Sequence, residues 1–248
     1  MPLEINALLR SVEEWKGVTL APFRCYHFRL LDRNCLLVKS GIGLERAIDA
    51  TYALLAATNL QILVSFGIAG AVNDKLQVGD VVVASHTCML DKQIASRFQR
   101  LAPLSGAARH AATQALQQRG ARLVSGIAIT TRGSQNVQLN LKEIGYPILE
   151  METAGMARVA AEQGISLMVL RAVSDTPQVP LPFSIEAVID EEYNLRIGKI
   201  IKTILQHPRI VLQYRWMIQN AEKAAENAAI ALIAALSQPE LVVSPPVL

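Results

Sequence analysis

The chain has 248 residues, of which 51% are apolar and 18% charged. That balance suits one large soluble domain with a substantial core, and the low charged share leaves surface for a subunit contact. A net charge of +3 argues against a nucleic-acid partner, and no basic run interleaved with aromatics occurs before the C-terminal third.

In chain order, CLLVKSGIG (Cys35 to Gly43) predicts a strand that turns into a helix. The apolar positions of that helix, Leu44, Ala47, Ile48, Tyr52 and Leu55, recur with a period of roughly 3.6. LQILVSFGIAGAV (Leu60 to Val72) is a continuous apolar run of the buried-strand type, and VGDVVVAS (Val78 to Ser85) follows a turn at Gly79 and Asp80. A helix over about Leu101 to Gln118 leads into ARLVSGIAIT, then ILEMETAG (Ile148 to Gly155), another helix, and the strand-like ISLMVLRAVSDT. Strands rich in Val, Ile and Leu, separated by helices, predict an α/β sheet covered on both faces. From Ile185 to Leu236 the pattern is helical, broken near Pro208 and ending in the alanine-rich NAEKAAENAAIALIAAL. The tail SQPELVVSPPVL reads as irregular. The expected organisation is an α/β core over residues 1–184 and a helical part of the same domain over 185–248.

Three cysteines, Cys25, Cys35 and Cys88, are odd in number and lack paired spacing, so they read as free thiols in a reducing cytosol. His27, His86, His110 and His207 stand far apart without metal-ligand spacing, and no cofactor is expected. The first residues lack the charged-then-apolar pattern of a leader, and no run of about eighteen uncharged apolar residues exists to span a membrane. A cytoplasmic location follows as the expectation.

ILEMETAG sets Glu150 and Glu152 around Met151 at the end of an apolar run. Burying an unpaired carboxylate costs on the order of several kcal/mol, so the pair needs a reason. One reading is structural: acidic side chains at a helix N-terminus meet exposed backbone N–H groups and the positive end of the dipole. The other is a ligand site, since open α/β sheets bind ligands beyond the carboxyl ends of their strands. KSGIG, SFGIAGAV, EMET and RAVSD are all strand ends of this kind. Each also has a structural reading: SGIG as a tight turn, Gly67 and Gly70 as points of close packing, Asp175 as a helix cap. Arg171 is harder to place that way, because a guanidinium inside LMVLRAVSD needs a carboxylate partner. Glu150, Glu152 and Asp175 are the candidates.

Taken in order, MPLE (Met1 to Glu4), KSGIG, SFGIAGAV, VGDVVV, EMET and RAVSD resemble the nucleoside phosphorylase-like enzymes of the methylthioadenosine/adenosylhomocysteine nucleosidase branch. SFGIAGAV, MARVAAEQG and the long helical C-terminus resemble its hopanoid-associated members, which are thought to act on adenosylhopane. The resemblance implies a single α/β domain: a mixed central β-sheet flanked by helices, with a helical C-terminal extension. It also implies a small-molecule nucleoside substrate, a homodimer and adenine release by hydrolysis. Phosphorolysis of a purine nucleoside and non-catalytic nucleoside binding are the alternatives. By the same resemblance Glu152 binds the ribose hydroxyls and Met151 packs against the nucleoside. Asp175, oriented by Ser174, protonates the purine, and Glu4 with Arg171 holds the attacking water. Glu150, Ile42, Ile68, Ala69 and Gly70 complete the implied substrate site.

Two departures qualify the match. Relatives carry a strand before the position of Met1, so either the start lies further upstream or the sheet is built without that strand, with Glu4 at a frayed terminus. Phosphorylase relatives use a serine or threonine near Ile68 and an arginine near Ser65 to hold phosphate; Ile68 cannot donate a hydrogen bond, which favours water. TTRGSQNV (Thr130 to Val137) lies where the base-binding loop belongs but matches it poorly. Between Arg196 and Trp216, basic residues beside an apolar stripe suit either a core-packed helix pair or a helix at a lipid surface.

Overall fold

A computed structural model of the protein describes residues 2–91, 94–95, 97–132, 145–178 and 211–242. Helix α1 (Pro2–Arg10) has a proline where a missing N–H costs nothing, an acidic residue in its first turn and Arg10 in its last. Its apolar face, with Ala7 and Leu8, packs into the core. Glu4 therefore lies inside a packed helix at 6% exposure, and the frayed terminus expected there is not found.

An antiparallel meander follows: β1 (Trp15–Leu20), β2 (Phe23–Leu30) and β3 (Arg33–Lys39). The chain then forms α2 (Leu44–Ala57), β4 (Leu63–Ala71), β5 (Val81–Asp91), the short β6 (Ile94–Ala95) and β7 (Gln99–Arg100), and α3 (Gly106–Gln117). Next come β8 (Leu123–Thr131), β9 (Pro147–Glu150), α4 (Thr153–Glu162), β10 (Leu167–Asp175) and α5 (Val211–Leu236). The strand expected from Val78 begins at Val81, because Gly79 takes a φ of 96° and Asp80 accepts from the Gln77 N–H to make the turn. The helix expected from Leu101 begins at Gly106, capped by the Ser105 hydroxyl on the Ala108 N–H.

The central sheet is mixed. β4 runs parallel to β10, and β8 parallel to both β5 and β9, whereas β9 meets β4 antiparallel. β10 also pairs antiparallel with β5 through Leu170↔Val83, so the path β4–β9–β8–β5–β10 closes on itself. One face is covered by α1, α3 and α5, where Ala224, Ala225, Ala228, Ala231 and Ala235 let α5 approach closely. Alanine also has the best intrinsic helix propensity, so the same residues favour the helix and its packing. The other face is covered by α2 and α4 through Leu54, Ala157 and Ala160. Residues 185–210, expected to be helical, lie outside the described set, and so does most of the basic stretch before Trp216. No described helix is long and apolar enough to cross a membrane.

The meander and the central sheet are separate sheets. Among the described residues, β3 pairs only with β2, and β4 meets a strand on its second side only at Gly70 and Ala71. A cleft of about 1600 Å³ borders both edges, lined by consecutive residues Cys35–Val38 and Leu60–Phe66. Since successive strand residues point to opposite faces, lining by consecutive residues means that the space runs beside the strands rather than over them.

Candidate active site

The carboxyl ends of β4, β9 and β10 converge at one end of this cleft. Glu4, Ile42, Ile68, Ala69, Gly70, Glu150, Met151, Glu152, Arg171, Ser174 and Asp175 all line it. Every candidate residue is thus brought into one cavity, from five separate stretches of sequence.

The two carboxylates of EMET do different things. Glu150 ends β9, and its Oε2 accepts from the Glu152 N–H (3.0 Å), the Thr153 N–H (2.8 Å) and the Thr153 hydroxyl (2.7 Å). Its Oε1 accepts from the Thr130 hydroxyl. It therefore caps α4 from the preceding strand, satisfying N–H groups that a helix start leaves without partners. Glu152 occupies the N-cap position itself, yet its side chain makes no cap bond. Its Oε1 accepts from the Gly43 N–H at 3.0 Å, its Oε2 from Arg171 Nη2 at 3.3 Å. Gly43 reaches this position with a φ of 101°, a conformation that favours glycine. The structural reading holds for Glu150, whereas the Glu152 side chain leaves the cap and lines the cleft.

Arg171 is 5% exposed, and its Nη2 donates to Ser65 Oγ (2.9 Å) and Glu150 Oε2 (3.1 Å) as well as to Glu152. Gly67 lies opposite it in the β4–β10 register, and a Cβ there would sit 2.5 Å from Arg171 Nη1 and 3.1 Å from Glu4 Oε1. The bare backbone of Gly67 makes room for the guanidinium and for the α1 carboxylate together. Gly70 does the same for Asp175, whose Oδ2 would be 2.7 Å from an added Cβ. Asp175 is the last residue of β10, past a register shift after Val173, and not the helix cap that its sequence context also allowed. The Ser174 hydroxyl, 2.6 Å from Asp175 Oδ1, orients its carboxyl.

Residues 1–206 match the sequence profile of the Phosphorylase superfamily. The chain belongs to that superfamily. It is 23% identical over 205 residues to a 5'-methylthioadenosine/S-adenosylhomocysteine nucleosidase of Staphylococcus epidermidis, covering 77% of this chain and 90% of the relative. A nucleosidase of the same name from Staphylococcus aureus is 24% identical with the same coverage. Among solved structures, the Neisseria meningitidis nucleosidase in complex with methylthio-immucillin-A aligns with a TM-score of 0.68 at 20% identity, over 96% of this chain and 95% of that one. The Colwellia psychrerythraea nucleosidase in complex with adenine aligns at 0.70 and 19%, over 97% and 93%. Futalosine hydrolase of Helicobacter pylori aligns at 0.66 and 17%, over 94% and 93%. Together these likenesses establish the superfamily fold.

On this phosphorylase-superfamily scaffold the charges divide into two groups. Around Arg171, the buried carboxylates of Glu4 and Glu150 and the half-buried one of Glu152 gather at one guanidinium, an excess of negative charge that favours a cation beside it. Burial pushes the Glu152 carboxyl up, Glu150 and Glu4 add to the rise, and Arg171 and the Gly43 N–H oppose it. Apart from these, burial also pushes the Asp175 carboxyl up, against the pull of the Ser174 hydrogen bond. A carboxyl so placed holds a proton to higher pH than an exposed one and can serve as a general acid. Among the described residues no cluster of ligating side chains fits a metal ion. Ser65, Thr130 and Thr153 carry bonds that sequence reasoning missed; Ser65 alone had a signal, standing two residues before Gly67 on the same strand face. Residues 133–137, most of the expected base-binding loop, lie outside the described set.

Proposed function

We propose that this protein is a nucleosidase that hydrolyses the N-glycosidic bond of a 5′-substituted adenine nucleoside and releases adenine. The observation that carries the reading is the separation of a carboxylate cluster from a protonatable carboxyl within one cleft. Cleaving the glycosidic bond builds positive charge on the sugar and negative charge on the leaving base. Glu152, Glu150 and Glu4 supply the field for the first, and Asp175 supplies the proton for the second. Glu4 and Arg171 flank the place where water attacks, Met151 packs on the nucleoside, and Ile42, Ala69 and Gly70 border it. The names of the curated relatives support adenine nucleosides as substrates.

Water is favoured over phosphate because Ile68 and Ser65 stand where phosphate-binding groups would be needed, and Ser65 already accepts from Arg171. The cleft, at about 1600 Å³, exceeds the roughly 300–1,000 Å³ of common ligand sites and is lined by Leu36, Val38, Phe66, Met217 and Ile218. That supports a bulky apolar 5′-substituent of the adenosylhopane kind, reached at a lipid surface from the cytoplasm. Adenine release should be measured on methylthioadenosine, adenosylhomocysteine, adenosine, inosine and vesicle-borne adenosylhopane, with and without phosphate. Turnover of the 5′-substituted adenine nucleosides without phosphate is expected; a strict phosphate requirement would overturn hydrolysis, and binding with no base release would overturn catalysis.

The low charged share supports a homodimer, whose interface should bury at least about 1,000 Å² in total. Sedimentation at micromolar concentration is expected to give a dimer. A fully active monomer refutes it.

A further inference from the structure

Thr130 does not line the cleft, although its neighbour Thr131 does. It is fully buried and lies directly opposite Glu150 in the parallel pairing of β8 with β9. Its hydroxyl donates its one proton to Glu150 Oε1 and accepts from the Ala154 N–H at 2.8 Å. Glu150 in turn holds the backbone N–H of Glu152 and shares the Arg171 guanidinium with it. One hydroxyl therefore ties the end of β8 both to the carboxylate that caps α4 and to the second residue of that helix. Because the Glu152 side chain is spared from capping, the direction it takes depends on the backbone that this knot fixes.

We propose that Thr130 is a positioning residue for the reaction. Through Glu150 and the first turn of α4 it aims Glu152, without touching substrate. The inference rests on the reading of Glu152 as the ribose-binding carboxylate. A small misplacement transmitted to a site can cost up to about 10²-fold.

The test compares Thr130→Val, which keeps the shape and loses both bonds, with Thr130→Ser, which keeps the hydroxyl. Substrates are methylthioadenosine and its 2′,3′-dideoxy analogue. Thr130→Val is expected to raise KM and to lower kcat/KM for methylthioadenosine by about ten- to hundredfold. On the dideoxy analogue the further loss should shrink to within about threefold of wild type, and Thr130→Ser should stay near wild type on both. Equal losses on the two substrates, no loss at all, or a serine variant as impaired as the valine one overturns the proposal. Should the valine variant not fold, Thr130→Cys and Thr130→Ala replace it; their ribose-dependent loss must follow hydrogen-bonding capacity, and any other order overturns the proposal. Glu152→Gln, run alongside, separates the two readings. If it carries a ribose-dependent loss and Thr130→Val does not, positioning fails alone; if it carries none, both fail.

Discussion

Replacing Asp175 with asparagine is expected to cut base release by about 10²- to 10⁴-fold while leaving the fold in place. The amide keeps the volume and still accepts from the Ser174 hydroxyl, but it has no acidic proton to give the purine. The pH behaviour follows from the sign of the shift. Burial holds the folded-state pKa of Asp175 above its ordinary value, so the folded protein binds this proton more tightly than the unfolded chain. The contribution to stability is therefore present at low pH and is lost as pH rises through the raised pKa. Wild-type activity limited by this acid should fall over the same range. Asparagine removes that loss, so at neutral pH the variant should melt no lower than wild type, with any advantage shrinking as pH is lowered. Near-normal turnover by this variant would remove Asp175 from catalysis, and a lower melting temperature at neutral pH would show that the substitution damages the fold.

The strand ends that meet at the site were legible in sequence because glycines and charges interrupt otherwise apolar runs. KSGIG, SFGIAGAV, EMET and RAVSD stand out against their surroundings, and all four reach the cleft. How the strands pair was not legible. In β10 the residues from Leu167 to Val173 are all buried, so the alternation that would reveal which face meets which neighbour is absent. Its double pairing, with β4 on one side and β5 on the other, follows from tertiary closure. Without the family resemblance, the contacts of Glu150 and Glu152 could not be told apart, for a related reason. They are the same residue type two positions apart, and they separate only because the chain turns from strand to helix between them. Thr130 had no signal at all: a threonine at a strand end is ordinary until Glu150 is found opposite it.

The expected looseness of Glu4 failed on a physical point. A terminus frays when nothing holds it, but α1 presents Ala7 and Leu8 to the same core that receives the alanine face of α5. Glu4 is one turn before Leu8 on that face and is carried into the site with it. The bare Gly67 then completes the accommodation, since a side chain on β4 at that place would collide with Arg171 and crowd Glu4. Helix packing on one side of the sheet and a missing side chain on the other thus set the same carboxylate.

Glu152→Gln is expected to act on binding as well as on rate. The carboxylate takes a hydrogen bond from the Gly43 N–H on one oxygen and from Arg171 on the other. A glutamine can present its oxygen to only one of them, so its NH₂ group must face either the guanidinium or the backbone N–H, donor against donor. It also removes negative charge from beside the developing sugar cation. Hydrogen bonds to a charged group are worth about 1.5–3 kcal/mol, which corresponds to roughly ten- to hundredfold in kcat/KM on a ribonucleoside. If the lost interaction is the one to the ribose hydroxyls, a substrate without them has already forfeited it, and the variant should cost that substrate much less. Steady-state kinetics on methylthioadenosine and its 2′,3′-dideoxy analogue give the comparison directly. A KM that stays at the wild-type value, together with an equal loss of rate on both substrates, would leave Glu152 a purely electrostatic role and detach it from the ribose.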